Sequence, residues 1–215
     1  IAAMGGNTDV VRALLKAGAN IEGTNNDGEN ALMMASMNGQ IKVVQVLLNA
    51  GADLNATDKN SCTALWWALW YYNGNNIEVV RALLKAGAIN AKYGEYAIIA
   101  AVSLGDAGVI RALLEAGANK EVIMKDGLNA MMIASREGNT PIVCALLDAG
   151  ANMEVTNKDE ETALMLASKY GHADVVRALL EAGANIEAKD KYGNTALICA
   201  SGKGHPNVVR ALLEY

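Results

Sequence analysis

The chain contains no phenylalanine and only 2 prolines among its 215 residues, while Ala, Leu, Gly and Asn are abundant. Strands draw on β-branched and aromatic side chains, so this composition favours helices punctuated by glycine turns and argues against a β-sandwich or barrel. Cysteine is sparse as well. Cys62, Cys144 and Cys199 are odd in number and lie 82 and 55 residues apart, which suits neither a disulfide framework nor a zinc site and points to a reducing, intracellular, cytoplasmic setting. A long apolar run is missing. The longest is the nine residues from Ala64 to Tyr72, where a membrane-spanning helix needs about 20. There is no excess of positive charge either: 18 Lys+Arg stand against 23 Asp+Glu. Residues 1–107 carry 7 basic and 9 acidic residues, and 108–215 carry 11 and 14. Without a basic stripe, nucleic acid and membrane insertion are excluded as partners.

What is present is a period. Hydrophobic residues make up 52% of the chain, enough for a core. The string Ala-Gly-Ala starts at 17, 50, 86, 116, 149 and 182, in steps of 33, 36, 30, 33 and 33. The long and short steps sum to two periods, so one repeat gains three residues and the next junction loses three. A fixed spacing of this size means stacked supersecondary units.

Residues 157–189 show the pattern: a polar tip, a first helix from Thr162, a glycine turn at Gly171, a second helix through Val175 to Leu180, and a glycine stop at Gly183. Thr63, Thr162 and Thr195, with Asn30 and Asn129 at equivalent places, can cap the first helix, whereas Tyr96 at the same position cannot. Pro141 and Pro206 fall in the first turn of the second helix, where a missing N–H is harmless. Gly6, Gly39, Gly74, Gly105, Gly138, Gly171 and Gly204 form the column between the helices. The small pairs Ala35-Ser36, Ala134-Ser135, Ala167-Ser168 and Ala200-Ser201 allow neighbouring helices to approach closely. Val175, Val176, Leu179 and Leu180 bury one face of the second helix.

These residues resemble the ankyrin repeat over the whole chain, with tip, glycine turn and the Val-Val-Arg-Ala-Leu-Leu-x-Ala-Gly-Ala-Asn ending in the same order. The resemblance implies an all-α, ankyrin-repeat α-solenoid of stacked helix-turn-helix units with short β-hairpin fingers. The usual Thr-Pro-Leu-His opening is replaced by Thr-Ala-Leu followed by Trp66, Met165 or Ile198, with Met33 and Met132 in that column. Apolar packing is therefore expected where the family uses histidine. The frame gives one domain, 1–215, with repeats 1–24 (partial), 25–57, 58–92, 93–123, 124–156, 157–189 and 190–215 (partial). Both ends fall inside a repeat, and the segment reads as part of a longer chain or assembly.

Catalytic chemistry is not evident. His172 and His205 follow the turn glycine, where the family uses histidine for turn hydrogen bonds, and no serine or cysteine forms a local nucleophile pattern with a histidine and a carboxylate. Ser201-Gly202-Lys203-Gly204 lacks the earlier glycine of a phosphate loop, because position 197 is leucine. The arginine column Arg12, Arg81, Arg111, Arg177 and Arg210 reads as a solvated outer ridge, with phosphate binding as the alternative. No catalytic residue, cofactor or metal site is assigned.

The third repeat is different. Ala64-Leu65-Trp66-Trp67-Ala68-Leu69-Trp70-Tyr71-Tyr72 holds all three tryptophans, and the insertion falls near its turn. In the ankyrin frame Leu65, Trp67, Ala68 and Leu69 point into the stack, while Trp66 and Trp70, four apart, share a face toward the fingers and concave groove. Positions just before the turn glycine are the family's usual contacts. The resemblance thus implies a non-catalytic module that binds a partner protein through Met37, Asn38, Trp66, Trp70, Tyr71, Tyr72, Tyr93, Leu104, Arg136, Glu137, Lys169 and Tyr170. Two alternatives stay open. Trp70 to Tyr72 could fold back to fill space made by the insertion, and the chain could be a structural segment or a targeting module of a longer enzyme or channel.

Overall fold

Five of the first helices among the described residues begin at a side-chain cap. Asn30 and Asn129 Oδ1 accept from the N–H of Met33 (3.0 Å) and Met132 (2.9 Å). The hydroxyls of Thr63, Thr162 and Thr195 accept from Trp66, Met165 and Ile198. Such a cap satisfies one of the free N–H groups at a helix start and is worth roughly 1 kcal/mol. The fold is seen in a computed structural model that describes residues 1–71, 76–89 and 97–215. Tyr96 and Gly74 lie outside the described residues.

The helices are α1 (Thr8–Lys16), then α2 (Ala31–Met37) with α3 (Ile41–Asn49), α4 (Ala64–Trp70) with α5 (Ile77–Lys85), and α6 (Ala97–Leu104) with α7 (Ala107–Glu115). After them come α8 (Ala130–Glu137) with α9 (Thr140–Asp148), α10 (Ala163–Tyr170) with α11 (Ala173–Glu181), and α12 (Ala196–Lys203) with α13 (Pro206–Leu213). Pro141 and Pro206 sit in the first turns of α9 and α13. None of these described helices is long and apolar enough to cross a membrane.

Glycine ends both members of a pair for a stated reason. Gly171 has φ +85°, a left-handed conformation open to glycine at little cost, and it lets the His172 N–H return to Ala167 O at 3.0 Å. A Cβ there would also run into the imidazole of His205, as one at Gly138 would meet His172. The Ala-Gly-Ala string closes the second helix the same way: Gly183 is at φ +90°, and Ala184 N–H bonds Leu179 O at 3.0 Å.

Contacts gather the chain into two compact lobes, Ile1–Leu104 with Arg111–Ala118, and Gly105–Ile110 with Asn119–Tyr215. In the first, α2 packs on α4 and α4 on α6, while α1, α3 and α5 pack in sequence. The second stacks α8 on α10 on α12, and α9 on α11 on α13. Val175, Val176 and Leu179 are fully buried, and Leu180 nearly so. Each such side chain contributes about 1.5–3 kcal/mol. Met33, Met132 and Met165 are buried in their column, as packing requires.

Polar side chains link successive helix pairs inside each lobe. Glu22 Oε1 accepts from the Asp53 N–H at 2.8 Å, Glu121 from Asn152 at 3.0 Å, and Glu154 from Asn185 at 2.9 Å. The residue after the turn glycine reaches back to the preceding turn: Asn139 Nδ2 donates to Gly105 O at 3.3 Å. His172 Nε2–H donates to Arg136 O at 2.9 Å and His205 Nε2–H to Lys169 O at 3.1 Å, the turn bonds expected of them.

Of the expected β-hairpin fingers, no strand is seen among the described residues. Each described tip is a turn closed by a bond across five residues, such as Asp58 N–H to Cys62 O (3.1 Å) and Asn157 N–H to Glu161 O (3.1 Å), and by a second within it, such as Ser61 N–H to Asp58 O (3.0 Å) and Glu160 N–H to Asn157 O (3.0 Å). The chain then enters the capped helix before a ladder can extend. At these tips Ser61 (φ +63°) and Glu160 (φ +60°) occupy the left-handed conformation held elsewhere by Gly28, Gly127 and Gly193. Neighbouring tips touch through Lys59 N–H to Asp27 O and Lys191 N–H to Asp159 O.

Candidate functional site

Thr63 starts α4, and the sequence of that helix divides it into two faces. Leu65, Ala68 and Leu69 face the core and are buried. Trp66 and Trp70 occupy the other face, their rings stacked with centroids 5.0 Å apart and an interplanar angle of 10°. Trp67 departs from expectation. It is half-buried and does not enter the stack, because its Nε1–H donates to Asp58 Oδ2 at 3.1 Å. Asp58 is itself buried at the finger base, where its Oδ1 accepts from Asn60 and Cys62. Trp67 thus braces Trp66 edge-on at 5.0 Å and lies 5.4 Å from the Tyr71 ring.

Trp70 is 66% exposed and Tyr71 50%, so these two do not fold back to fill space. The fully buried Asn76 donates through Nδ2 to Ala68 O (3.4 Å) and Tyr71 O (3.3 Å), tying the start of α5 to the end of α4. Between α4 and α6 runs a groove of about 290 Å³ lined by Leu65, Trp66, Leu69, Trp70, Ala97, Ala100, Ser103 and Leu104. It unites three of the residues expected from sequence, Trp66, Trp70 and Leu104. Ala97 and Ala100 complete it from another helix, a pairing that the repeat pattern does not display.

The other expected positions divide between the lobes. In the first, Met37 is half-buried, and Asn38 is exposed with its Nδ2 donating to Met34 O at 2.8 Å. Tyr72 and Tyr93 lie outside the described residues, as does the gap expected beside Tyr93. In the second lobe Glu137 and Tyr170 are exposed and Arg136 is half-buried. Lys169 is less free than a contact residue should be, since its Nζ pairs with Glu161 Oε1 at 2.6 Å. Glu161 is buried and also accepts from Asn157 Nδ2 at 2.9 Å. The hydrogen bond to Glu161 outweighs desolvation and holds the Lys169 ammonium above the usual lysine range.

Two of the thiols are held toward the protonated form. Burial, reinforced by Asp58, pushes Cys62 up, and burial with Asp190 and Glu161 does the same to Cys199. Cys62, Cys144 and Cys199 are all free. Among the described residues no cluster of three or more His, Cys, Asp or Glu side chains could hold a metal. On the outer ridge Arg177 donates to Asp174 Oδ1 at 2.9 Å, with both side chains exposed.

A family model described as "Ankyrin repeats (3 copies)" matches residues 1–93, 65–157 and 131–215, which together span the chain. The chain belongs to the ankyrin-repeat family. Ankyrin repeats are generally protein–protein interaction modules and typically non-catalytic. The ankyrin solenoid fold is similar to the ankyrin repeat domain of Bcl-3, described as a unique member of the IkappaB protein family, with a TM-score of 0.80. That likeness has 26% identity and covers 99% of this chain and 96% of the other. The human ASB11 ankyrin repeat domain is similar in fold, with a TM-score of 0.76 at 24% identity over 99% of this chain and 95% of that one. No curated protein matches the sequence significantly.

Proposed function

We propose that this ankyrin-repeat chain is a non-catalytic recognition module that binds a partner protein through the α4–α6 face of its first lobe. One observation carries the reading: the stacked Trp66 and Trp70, with Tyr71 beside them, leave a large aromatic area in water at the edge of an apolar groove. Trp and Tyr dominate binding hot spots because they bury much area at little cost in side-chain entropy. Met37, Asn38 and Leu104 extend that face, and in the second lobe Arg136, Glu137 and Tyr170 form a more polar contact row. The free thiols suit the reducing interior of a cell. The outer arginines, Arg177 among them paired with Asp174, supply a solvated ridge and not a phosphate site.

The test is affinity capture with cross-linking from the native source, using the chain, its Trp70→Ala/Tyr71→Ala variant and an Arg177→Ala control on the outer ridge. A defined protein should be retained by the chain and the control and lost by the double variant, whose Tm stays within a few degrees. Equal capture by all three, or a collapse of Tm in the double variant, would assign these aromatics to packing instead.

A further inference from the structure

The groove lies where α6 presents small side chains, Ala97, Ala100 and Ser103, to α4. Ala100 stands where α8 and α10 carry Ile133 and Leu166, and Ser103 where they carry Arg136 and Lys169. Ile133 and Leu166 are buried, at 5% and 3% exposure. Between α4 and α6 the opposite wall is the widest side chain available, so a large residue faces a small one and space is left open.

The wall is held in advance. Trp66 is stacked on Trp70 and braced by Trp67, which is fixed by its bond to the buried Asp58. A site ordered before binding loses less freedom when it is filled. Its volume, about 290 Å³, lies at the low edge of the roughly 300–1,000 Å³ typical of small-molecule clefts. Apart from indole N–H groups, Ser103 supplies the one polar side chain among the described residues of the lining. A free ligand would find almost nothing to orient it, whereas a side chain is oriented by the chain that carries it.

Charge narrows the partner further. Neither Ala64–Trp70 nor Ala97–Leu104 contains a charged residue, and Met37, Asn38 and Tyr71 add none. Among the described residues lining the groove, a lysine or carboxylate that left water to enter it would meet no counter-ion. In the second lobe the equivalent positions carry Arg136, Glu137 and Lys169. Resting on the partner-binding reading above, we propose that the α4–α6 groove is an anchor pocket for a bulky apolar side chain presented by an uncharged stretch of a partner protein.

All three tryptophans lie in α4, so intrinsic fluorescence reports on this groove directly. The probes are the capped peptides Ac-Ala-Leu-Ala-NH₂, Ac-Ala-Lys-Ala-NH₂ and Ac-Ala-Glu-Ala-NH₂, titrated into the 215-residue chain and into its Ala100→Leu and Ser103→Leu variants. The leucine peptide should shift the emission saturably and at least tenfold more tightly than the other two. Either variant should abolish that response without lowering Tm, because it fills the pocket from inside. An equal response to the charged peptides, no saturation with leucine, or an undiminished response in whichever variant folds overturns the inference. Partner capture separates the two proposals. Capture that survives Ala100→Leu keeps the binding face and removes the anchor, while leucine binding with capture indifferent to Trp70 and Tyr71 keeps the pocket and removes the partner reading.

Discussion

Two fingertip residues occupy a backbone conformation their side chains disfavour. Ser61 and Glu160 hold φ near +60°, where the corresponding tips use glycine, and the Cβ makes that region costly by roughly 1–2 kcal/mol. Ser61→Gly and Glu160→Gly should each stabilise the fold by about 1 kcal/mol, less the added entropy of the unfolded glycine, read as a higher urea midpoint with an unchanged slope. A second column points the same way. The Oγ atoms of Ser36, Ser135 and Ser168 are buried without a hydrogen-bond partner. Removing an unsatisfied hydroxyl relieves its desolvation, so Ser135→Ala and Ser168→Ala should each raise stability by about 1 kcal/mol. A loss in either would mean that the hydroxyl has a partner after all. Asp190 provides a pH dependence. Burial pushes its carboxyl up, but hydrogen bonds from Asn194 and Tyr192 hold it below the ordinary aspartate value. Its contribution is therefore full above the unfolded pKa of about 3.9 and is lost as pH falls through the lower folded value. Urea midpoints measured from pH 5 to pH 2 should fall less steeply in Asp190→Asn than in the parent chain.

Helices and turns were legible where their signals are local. Thr162, three residues before the N–H it caps, and Gly171, one residue past the helix it ends, act over distances a sequence displays. Gly171→Ala should cost more than 2 kcal/mol, since the left-handed backbone and the His205 ring oppose the new methyl together. Thermal melts of Gly171→Ala against Thr162→Ala, whose lost cap is worth about 1 kcal/mol, would rank the two effects. What the periodicity did not reveal depends on residues meeting across elements. Trp67 has the spacing of a core residue, yet a carboxylate nine positions earlier draws its indole to the finger base. Lys169 has the position of a contact residue, yet buried Glu161 holds it. The groove likewise needs α4 and α6 together: the tryptophans were conspicuous, but Ala100 acquires meaning only opposite them.

Within the second lobe one joint is made repeatedly from the same parts. In the second lobe a glutamate bonds the N–H 31 positions later, in both Glu121–Asn152 and Glu154–Asn185, and the residue after each turn glycine reaches the turn before it. Removing residues 158–190 would join Asn157 to Lys191 and seat α12 on α8, with His205 placed at Gly138 in the stead of His172. That shortened chain should fold cooperatively, with helical circular dichroism per residue unchanged, whereas a deletion of half that length should not. Because each repeat interacts with its neighbours, such a change alters the number of joints and not their kind. The same interchangeability has a consequence for the gene. Unequal crossing-over displaced by one period inserts or removes 33 codons in frame and still encodes a chain whose parts fit, so this array can change length by recombination without passing through an unfolded intermediate.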